Sequence, residues 1–318
     1  MNNLTSSRYN LLVVSIAVEQ WAVRVPKKRG EGTRQWLLQE GLLDRHLRIR
    51  SENGDLLFPV LNPMNGRERA IFEEIEEPEP LSRHELIGGI AILQKRDLEE
   101  AQKVLSSRPS LHTVLFPTSA VEGPYRVRRF EVLAGEVTTC TEYTEYGHQY
   151  IIDLGLAYFS GRLSGERQRV LACMGEGERV LDMFAGVGPF AITVAERASL
   201  VMAGDINPDA VRLMIENLRN NRCTNVIPIL ANAAHLRNLI PWSFDRIIMN
   251  LPLGGMRFLD TAFSLCRSGG WIHYYTLQST EGEALSYLED RPVTRVKERF
   301  VRSYSPEQWH AVYDIQVR

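Results

Sequence analysis

Residues Val180–Phe190, V-L-D-M-F-A-G-V-G-P-F, decide the fold class of this chain. The stretch 179–183 is apolar and predicts a buried strand, and Pro189 predicts the first turn of a helix. Between them, Gly186 and Gly188 let the backbone approach a ligand closely, and the helix N-terminus offers free N–H groups. This order of strand, glycine turn and helix is typical of the first unit of a nucleotide-binding sheet.

A second strand follows about twenty residues after the turn. Its sequence, S-L-V-M-A-G-D, ends in Asp205, and an acidic residue at this place suits the diol of a ribose. The pair predicts a site for a nucleoside cofactor, although a tight structural turn and a helix-capping aspartate would explain the same residues. Further strands at 226–230, 246–249 and 271–275 alternate with helices. We therefore predict an α/β fold with a doubly wound, parallel sheet.

The fourth predicted strand ends in M-N-L-P-L, Met249–Leu253. Ligands of doubly wound sheets bind beyond the carboxyl ends of the strands, so Asn250 is expected to face the same crevice as Gly186 and Asp205. An asparagine close before a proline holds its amide in a fixed place, which suits the edge of a planar, amide-like base. A turn-forming asparagine before Leu-Pro is the alternative explanation of the motif.

Composition is that of an ordinary globular protein: of 318 residues, 44% are hydrophobic and 24% are charged. No run of about 18 apolar residues occurs, and the first residues lack a signal-peptide pattern. The four cysteines are far apart and form no C-x-x-C motif, which predicts reduced, mostly buried thiols and no metal site. We therefore expect a cytoplasmic protein that does not contact a membrane.

The charge distribution favours a nucleic-acid partner, although the net charge is only −2. Residues 1–50 carry nine Lys and Arg against four Asp and Glu, whereas residues 51–100 carry five against twelve. A local basic face can bind phosphate even when the whole chain is near neutral. The candidates for such a face are the cluster Lys27-Lys28-Arg29 and the group Arg45, Arg48 and Arg50, and a solvated charged surface is the alternative.

Composition along the chain predicts four segments. Residues 1–62 form a small α/β module, and the acidic, proline-containing segment 63–80 forms a linker. Residues 81–174 form a middle α+β domain, and residues 175–318 form the Rossmann-like domain with the glycine turn.

Several motifs together resemble a known enzyme family. The stretches D-M-F-A-G-V-G-P-F, G-D-I-N-P-D-A and N-L-P, in this order, resemble a class I methyltransferase that uses S-adenosylmethionine. The upstream stretches Gly123–Glu136 (G-P-Y-R-V-R-R-F-E-V-L-A-G-E) and Tyr158–Arg167 (Y-F-S-G-R-L-S-G-E-R) are similar to the archaeal and eukaryotic tRNA (guanine-37-N1)-methyltransferases. The resemblance spans almost the entire chain. It implies that the protein methylates N1 of guanosine 37 in the tRNA anticodon loop. Because three units in one chain require no partner, we expect a monomer.

The resemblance assigns catalytic roles to three residues. Guanine N1 carries a proton and is a poor nucleophile, so its methylation needs a base and a donor that stabilises charge on O6. Glu166 matches the family's general base, and Arg126 matches the arginine that stabilises the developing charge. Asn250 would position the target base.

The resemblance also assigns binding residues. The cofactor would be bound by Asp182, Phe184, Gly186, Gly188, Asp205, Ile206, Asn232 and Asn250. The tRNA would be bound by Tyr158, Arg162, Pro252, Lys27 and Lys28. The target guanosine would have to leave the base stack to reach the pocket.

Two positions depart from the family pattern. The family motif S-P-R-L is S-G-R-L here, and Gly161 loosens a turn that proline would stiffen. The acidic residue expected after the third strand is Asn232, whose amide can still accept a hydrogen bond from the adenine amino group. Neither departure indicates a different reaction.

Three other functions are possible alternatives. The nearest is that of the wyosine-pathway tRNA aminocarboxypropyltransferase, a family that uses the same cofactor but lacks the N-L-P motif. A methyltransferase of small molecules would not need a separate basic N-terminal module. A tRNA-binding protein with a degenerate cofactor fold is disfavoured by the intact set of Asp182, Gly186, Gly188, Asp205 and Asn250.

Overall fold

The structure is a computed structural model, and it describes residues 17–62, 68–74 and 81–318. The chain divides into two compact units, Met1–Pro80 and Leu81–Arg318. In the part of the chain that the structure describes, no helix is long and apolar enough to cross a membrane. Of the four cysteines, Cys140 and Cys173 are exposed, so the expectation of mostly buried thiols was wrong.

The first unit is built on a four-stranded antiparallel sheet. Its strands are β1 (Ala17–Pro26), β2 (Arg50–Glu52), β3 (Asp55–Val60) and β4 (Glu68–Glu73), in the order β2-β3-β1-β4. Helix α1 (Gly30–Gln39) follows a 3₁₀ turn at Lys27–Arg29. Asn53 and Gly54 both have positive φ, 50° and 89°, as a two-residue hairpin turn requires.

Strand β4 lies inside the segment 63–80 for which we predicted a linker. The alternation in E-R-A-I-F-E places Phe72 in the core with Ala22 and Leu57, because β4 pairs with β1. Because the segment is mostly acidic, its short alternating stretch was not recognised as a strand from the sequence. The limits of the linker stay a prediction, since residues 63–67 and 75–80 lie outside the described residues.

The second unit begins with a four-stranded sheet. It contains β5 (His84–Ile87), β6 (Ile90–Leu93), β7 (Thr113–Pro117) and β8 (Phe130–Gly135), with α2 (Leu98–Ser107) between β6 and β7. The apolar run 87–93 in the sequence predicts a single buried strand, but a turn at Gly88 separates β5 from β6. A Cβ atom at Gly88, where φ is +55°, would lie 1.9 Å from the carbonyl oxygen of Glu142, so glycine is required there.

A hairpin and a short helix follow. Strands β9 (Cys140–Glu145) and β10 (His148–Asp153) pair around the turn at Gly147, and α3 (Ser164–Ala172) follows a 3₁₀ turn at Gly161–Leu163. The sequence predicts a turn at Gly147 between two strands, at 131–137 and 150–156. The turn is present, but the strand before it is β9 rather than the stretch 131–137.

A seven-stranded sheet completes the second unit. Its strands are β11 (Arg179–Asp182), β12 (Leu200–Asp205), β13 (Val226–Leu230), β14 (Phe244–Met249), β15 (Cys266–Gln278), β16 (Val293–Ser303) and β17 (Trp309–Val317). Their order is β13-β12-β11-β14-β15-β17-β16; the first five are parallel, and β17 is antiparallel to both of its neighbours. The α/β fold predicted from the glycine turn is confirmed.

Helices and apolar clusters cover both faces of this sheet. The helices are α4 (Pro189–Val194), α5 (Pro208–Asn220), α6 (Leu236–Leu239) and α7 (Leu259–Leu265). One face packs on α3, α4 and α5 through residues such as Val180 and Tyr275, and the other packs on α6 and α7 through residues such as Leu181. The chain order reverses at β11, between β12 and β14, which opens a crevice at their carboxyl ends.

Hydrogen bonds cross the domain boundary that we predicted at residue 174. The buried side chain of Asn217 on α5 accepts a hydrogen bond from the N–H of Ile151, and it donates to the carbonyl oxygens of Ile151 and Val187. The hairpin β9–β10 is thereby fixed to the Rossmann-like sheet. The domain boundary at residue 174 stays a prediction, and the described residues from 81 onward form one compact unit.

Candidate active site at the strand ends

A cavity of about 470 Å³ opens at the carboxyl ends of β11, β12 and β14, and we call it the strand-end cavity. Nine of the residues predicted from the sequence line it: Arg126, Tyr158, Phe184, Gly186, Asp205, Ile206, Asn232, Asn250 and Pro252. The remaining predicted residues lie elsewhere, in positions described below.

The glycine turn is fixed to the second strand by a hydrogen bond. The N–H of Gly186 donates to Oδ2 of Asp205 at 2.8 Å, and the N–H of Asn207 donates to Oδ1 of the same carboxylate at 2.9 Å. Burial raises the pKa of Asp205, and these backbone hydrogen bonds oppose that rise. Each carboxylate oxygen keeps a further lone pair, so Asp205 can still accept hydrogen bonds from a ligand.

Gly188 and Asp182 do not line the cavity but support it. Gly188 has φ +92° and begins α4, and a Cβ atom there would lie 3.0 Å from Cγ of Met214. Asp182 is fully buried, and its Oδ1 accepts a hydrogen bond from the N–H of Phe184 at 3.3 Å. Burial raises the pKa of Asp182 to about 7. Both residues therefore shape the loop rather than face a ligand.

Two asparagines, one after β13 and one after β14, face the cavity. Oδ1 of Asn232 accepts a hydrogen bond from the N–H of Ala234 at 3.0 Å, which fixes the side chain at the start of a 3₁₀ turn. Oδ1 of Asn250 is buried and has no hydrogen-bond partner among the described residues. The carbonyl oxygen of Pro252 accepts a hydrogen bond from the N–H of Leu277 at 3.3 Å, which ties the N-L-P loop to β15.

Glu166 lies in the first turn of α3, beside the cavity lining rather than in it. Its Oε2 accepts a hydrogen bond from Nε of Arg169 at 2.8 Å and another from the hydroxyl of Tyr275 at 3.1 Å. Leu163, one turn earlier in the chain, lines the cavity. The structure therefore brings Glu166 to the edge of the site, with both of its hydrogen bonds in the described residues made by one oxygen.

A chain of buried charges extends from Glu166 through the sheet. Arg169 also donates to both oxygens of Asp314, at 2.7 and 3.1 Å, and Oδ1 of Asp314 lies 2.6 Å from Nδ1 of His273. Burial by itself would raise the pKa of Asp314, but the hydrogen bond with His273 and the charge of Arg169 bring it below its ordinary value. Nε2 of His273 lies 2.7 Å from a guanidinium nitrogen of Arg246.

Sequence reasoning did not find Tyr275 as a partner of Glu166, nor Asp314 and His273, which follow Arg169 in the chain of charges. These three residues come from the last strands of the sheet, far from Glu166 in the sequence. The available signal was a polar residue at an inward position of an otherwise apolar strand, as in W-I-H-Y-Y and V-Y-D-I. That signal shows that a partner is needed, but it does not show which residue provides the partner.

A second cavity of about 530 Å³, which we call the arginine cavity, adjoins the first and shares with it Arg126, Tyr158, Leu253, Arg302 and Tyr304. Its other two arginines are Arg128 and Arg162. Arg126 has φ +58° in the turn that begins at Gly123. Arg162 pairs with Glu85 at 2.9 Å, so the structure places Arg162 beside the strand-end cavity rather than in it.

Lys27 and Lys28 belong to the first unit, where both are exposed on the 3₁₀ turn before α1. Of the other predicted basic residues, Arg48 pairs with Glu73 at 3.7 Å and Arg50 pairs with Glu52 at 2.9 Å. The two lysines therefore remain candidates for contact with a polyanion.

The site can hold a nucleoside-like donor at one end and a planar acceptor at the other. The described residues contain no group of three or more His, Cys, Asp or Glu side chains that could hold a metal ion. Acidic and amide oxygens at Asp205, Asn232 and Asn250 alternate with apolar lining from Phe184 and Ile206. Such a lining suits the hydrogen-bonding edges and flat faces of nucleosides.

Comparisons with known proteins agree with this chemistry. Residues 141–304 match the family model described as the TRM5/TYW2 methyltransferase domain, and residues 22–68 match the tRNA methyltransferase 5 N-terminal domain. The chain is 36% identical over 330 residues to the tRNA (guanine(37)-N(1))-methyltransferase Trm5b of Pyrococcus abyssi, covering 93% of this chain and 98% of the relative. It is 31% identical over 250 residues to the tRNA(Phe) (4-demethylwyosine(37)-C(7)) aminocarboxypropyltransferase of Methanocaldococcus jannaschii, covering 73% of this chain and 96% of the relative.

Two solved structures are similar to this one. The complex of aTrm5 with tRNALeu superposes with a TM-score of 0.80 at 28% identity, covering 94% of this chain and 100% of that one. TYW2 of M. jannaschii in complex with AdoMet superposes with a TM-score of 0.58 at 26% identity, covering 73% of this chain and 98% of that one.

Proposed function

The chain belongs to the tRNA (guanine-37-N1)-methyltransferase family, with a TRM5/TYW2 methyltransferase domain, and we propose that it methylates N1 of guanosine 37 in tRNA. One observation carries the proposal. A single cavity joins the glycine turn and Asp205 of the donor half to Arg126, Tyr158 and the N-L-P loop of the acceptor half. The similar structure with tRNALeu supports tRNA as the partner.

The residues at the donor end fit S-adenosylmethionine. A Cβ atom at Gly186 would make only an ordinary contact, 3.5 Å from the carbonyl oxygen of Tyr158, but the φ of +55° favours glycine at this turn. Asp205 would accept hydrogen bonds from the ribose diol, and Asn232 would accept one from the adenine amino group. Phe184 and Ile206 would cover the flat faces of the adenine. When bound, the cofactor supplies a methyl group on a sulfonium centre.

The residues at the acceptor end must move one proton and stabilise one developing charge. Glu166 would remove the proton from guanine N1 through Oε1, because Oε2 is held by Arg169 and Tyr275. Arg126 would stabilise negative charge on O6. Asn250 and Pro252 would position the base, and Tyr158 would form one wall of its pocket.

The share of this chain that each relative covers favours methyl transfer over aminocarboxypropyl transfer. The methyltransferase relative covers 93% of this chain, whereas the aminocarboxypropyltransferase relative covers 73%. A match to the tRNA methyltransferase 5 N-terminal domain accounts for residues 22–68. The first unit therefore supports the methyltransferase branch.

The two activities can be separated with two labels. The protein is incubated with tRNA transcripts that carry G or A at position 37. In one series S-adenosylmethionine is labelled in the methyl group, and in the other it is labelled in the carboxyl group. We expect the methyl label to enter the G37 transcript and neither label to enter the A37 transcript. Carboxyl label in tRNA, or equal methyl transfer to both transcripts, would contradict the proposal.

We further propose that the first unit binds a part of the tRNA away from the anticodon, and that the protein acts as a monomer in the cytoplasm. Exposed Lys27 and Lys28 support a phosphate contact that is sensitive to salt. The double substitution Lys27→Ala, Lys28→Ala is expected to weaken tRNA binding and leave cofactor binding unchanged. Equilibrium sedimentation with and without tRNA would test the monomer, and imaging of the tagged protein would test its location.

A further inference from the structure

Three of the four arginines that line the arginine cavity have no acidic partner in the described part of the chain. Arg162 pairs with Glu85, which is the one acidic residue among the described residues that line this cavity. The side chains of Arg126, Arg128 and Arg302 form neither an ion pair nor a hydrogen bond with any described residue. Like charges repel one another, so three unpaired guanidinium groups around one cavity indicate an anionic ligand.

Arg302 adds a second, independent observation. Its Nε is buried and has no hydrogen-bond partner among the described residues, although most buried polar groups in proteins have one. The preceding residue, Val301, packs against the apolar core, which fixes this part of β16. The guanidinium group is therefore held at the cavity with donor groups that a ligand can use.

Two distant segments of the chain bring these arginines together. Arg126 lies in the turn that begins at Gly123, Arg128 follows two residues later, and Arg302 lies near the end of β16. Strand β16 runs parallel to β14 and β15, because β15 and β16 are both antiparallel to β17. The carboxyl end of β16 therefore lies at the same edge of the sheet as Asp205 and the N-L-P loop.

The junction of the two cavities shows where the backbone of a bound nucleotide would lie. Arg126, Arg302 and Tyr304 are among the residues that line both cavities. With the guanine base at the acceptor end of the strand-end cavity, its ribose and phosphates would extend into the adjoining arginine cavity. Arg128 lines the arginine cavity but not the strand-end cavity, so it would face the RNA backbone rather than the base.

We propose that Arg128 and Arg302 bind a backbone phosphate that flanks guanosine 37 and so hold this nucleotide out of the base stack. A planar guanidinium group can donate two parallel hydrogen bonds to phosphate oxygens, and extrusion of a base costs energy that such contacts offset. The inference rests on the proposed function, and it assigns a role to two arginines that the mechanism above does not use. The carboxylate of S-adenosylmethionine is the other candidate anion, and the test separates the two.

Single neutral linkages in the RNA provide the test. Ligated tRNAs carry one methylphosphonate on the 5′ side of G37, on the 3′ side of G37, or in the acceptor stem as a control. Each linkage lies beside a 2′-O-methyl ribose that keeps it intact, and the same RNAs with an ordinary phosphate are the references. Single-turnover rates at subsaturating tRNA and saturating S-adenosylmethionine are measured for wild type and for the double variant Arg128→Ala, Arg302→Ala.

The rates should depend on one charge next to G37. Wild type is expected to lose about 10- to 100-fold with a neutral linkage on at least one side of G37, the usual effect of a hydrogen bond between charged groups. The double variant is expected to lose at least this factor on the reference RNA and to respond to the sensitive linkage by less than about threefold. It should also lower the slope of log affinity against log salt by about 0.7, the value for one contact with a single-stranded phosphate.

Three controls accompany these measurements. Arg129→Ala removes an exposed arginine that is next to Arg128 but outside both cavity linings, and it should leave the rates unchanged. Arg128 is itself exposed, so Arg128→Ala alone should fold and show a smaller loss in the same direction, which remains informative if the double variant folds poorly. A titration with S-adenosylmethionine should give the wild-type Kd for all variants.

Three results would overturn the inference. Wild type would tolerate neutral linkages on both sides of G37, or the losses from the linkage and from the double variant would add in full, which would place the arginines elsewhere. Weaker binding of S-adenosylmethionine by the double variant would assign the arginines to the carboxylate of the cofactor. Failure of wild type to methylate the unmodified G37 transcript would instead refute the proposed function, so the two failures are distinguishable.

Discussion

The hydroxyl group of Tyr275 donates a hydrogen bond to Oε2 of Glu166, across 3.1 Å and 109 positions of sequence. Burial raises the pKa of Tyr275 well above its ordinary value, so the hydroxyl remains a donor at every pH at which the enzyme would work. Arg169 donates to the same oxygen. Two donors on one oxygen orient the carboxylate and leave Oε1 for the substrate.

Glu166→Gln should abolish most methyl transfer while the protein still binds S-adenosylmethionine. Loss of a general base lowers rates by ~10²–10⁴-fold. The single-turnover rate on a G37 transcript measures the effect, and a binding titration checks the cofactor. Glu216→Gln, on an exposed position of α5, is the matched control and should behave as wild type. Undiminished turnover by Glu166→Gln would remove this residue as the base.

Tyr275→Phe tests the orientation of the carboxylate separately from its chemistry. The substitution removes one hydrogen bond to a charged group and keeps the ring, so we expect the rate constant to fall about 10-fold and the KM for tRNA to stay unchanged. A variant that raises KM without lowering the rate would indicate that Tyr275 serves binding instead.

Asp314→Ala should be strongly destabilising, because Asp314 pairs with both Arg169 and His273 inside the protein. Removing one partner of a buried ion pair costs ~3–5 kcal/mol, and urea denaturation at pH 7 would measure the loss. Asp260→Ala is the control, because its pair with Arg291 lies at the surface, and it should cost ~1 kcal/mol or less. Equal losses for the two variants would show that the buried chain of charges adds no stability.

Asp182→Asn should change how stability depends on pH. The pKa of Asp182 is raised from 3.8 to about 7 in the folded protein, so folding favours its protonated form. The associated stability is present below pH 3.8 and is lost as the pH rises through about 7, by at most ~4 kcal/mol. Relative to wild type, the variant should therefore gain stability between pH 4 and pH 7.5. Urea denaturation of cofactor-free protein at several pH values measures this difference, and a pH-independent difference would contradict the expectation.

Comparing Gly188→Ala with Gly177→Ala separates the cost of a positive φ from the cost of a steric contact. A positive φ costs ~1–2 kcal/mol for a residue with a Cβ atom. At Gly188 the new atom also lies 3.0 Å from Met214, whereas at Gly177, with φ +75°, nothing lies within 4 Å. Gly188→Ala should therefore lower the free energy of unfolding by more than Gly177→Ala. Equal losses would mean that Met214 moves aside without cost.

The strands of the parallel sheet were predictable because each one is a short apolar run bounded by turn residues. Prediction failed at β4, where acidic residues surround a short alternating stretch, and at Gly88, where one glycine divides an apolar run. At both places a tertiary contact decides the outcome. Phe72 reaches the core through the pairing of β4 with β1, and Gly88 approaches the backbone at Glu142.

The sequence by itself determined the nucleotide-binding sheet, the cofactor and the family. The glycine turn, the strand that ends in Asp205 and N-L-P are short contiguous motifs, so each can be recognised without knowing the tertiary contacts. The roles assigned to individual site residues stay predictions. Only the tertiary structure decided that Gly188 and Asp182 support the loop without lining the cavity, and that Glu166 is held by Tyr275 as well as Arg169. Tyr275 comes from β15, and sheet pairing, rather than spacing along the chain, brings this strand to the site.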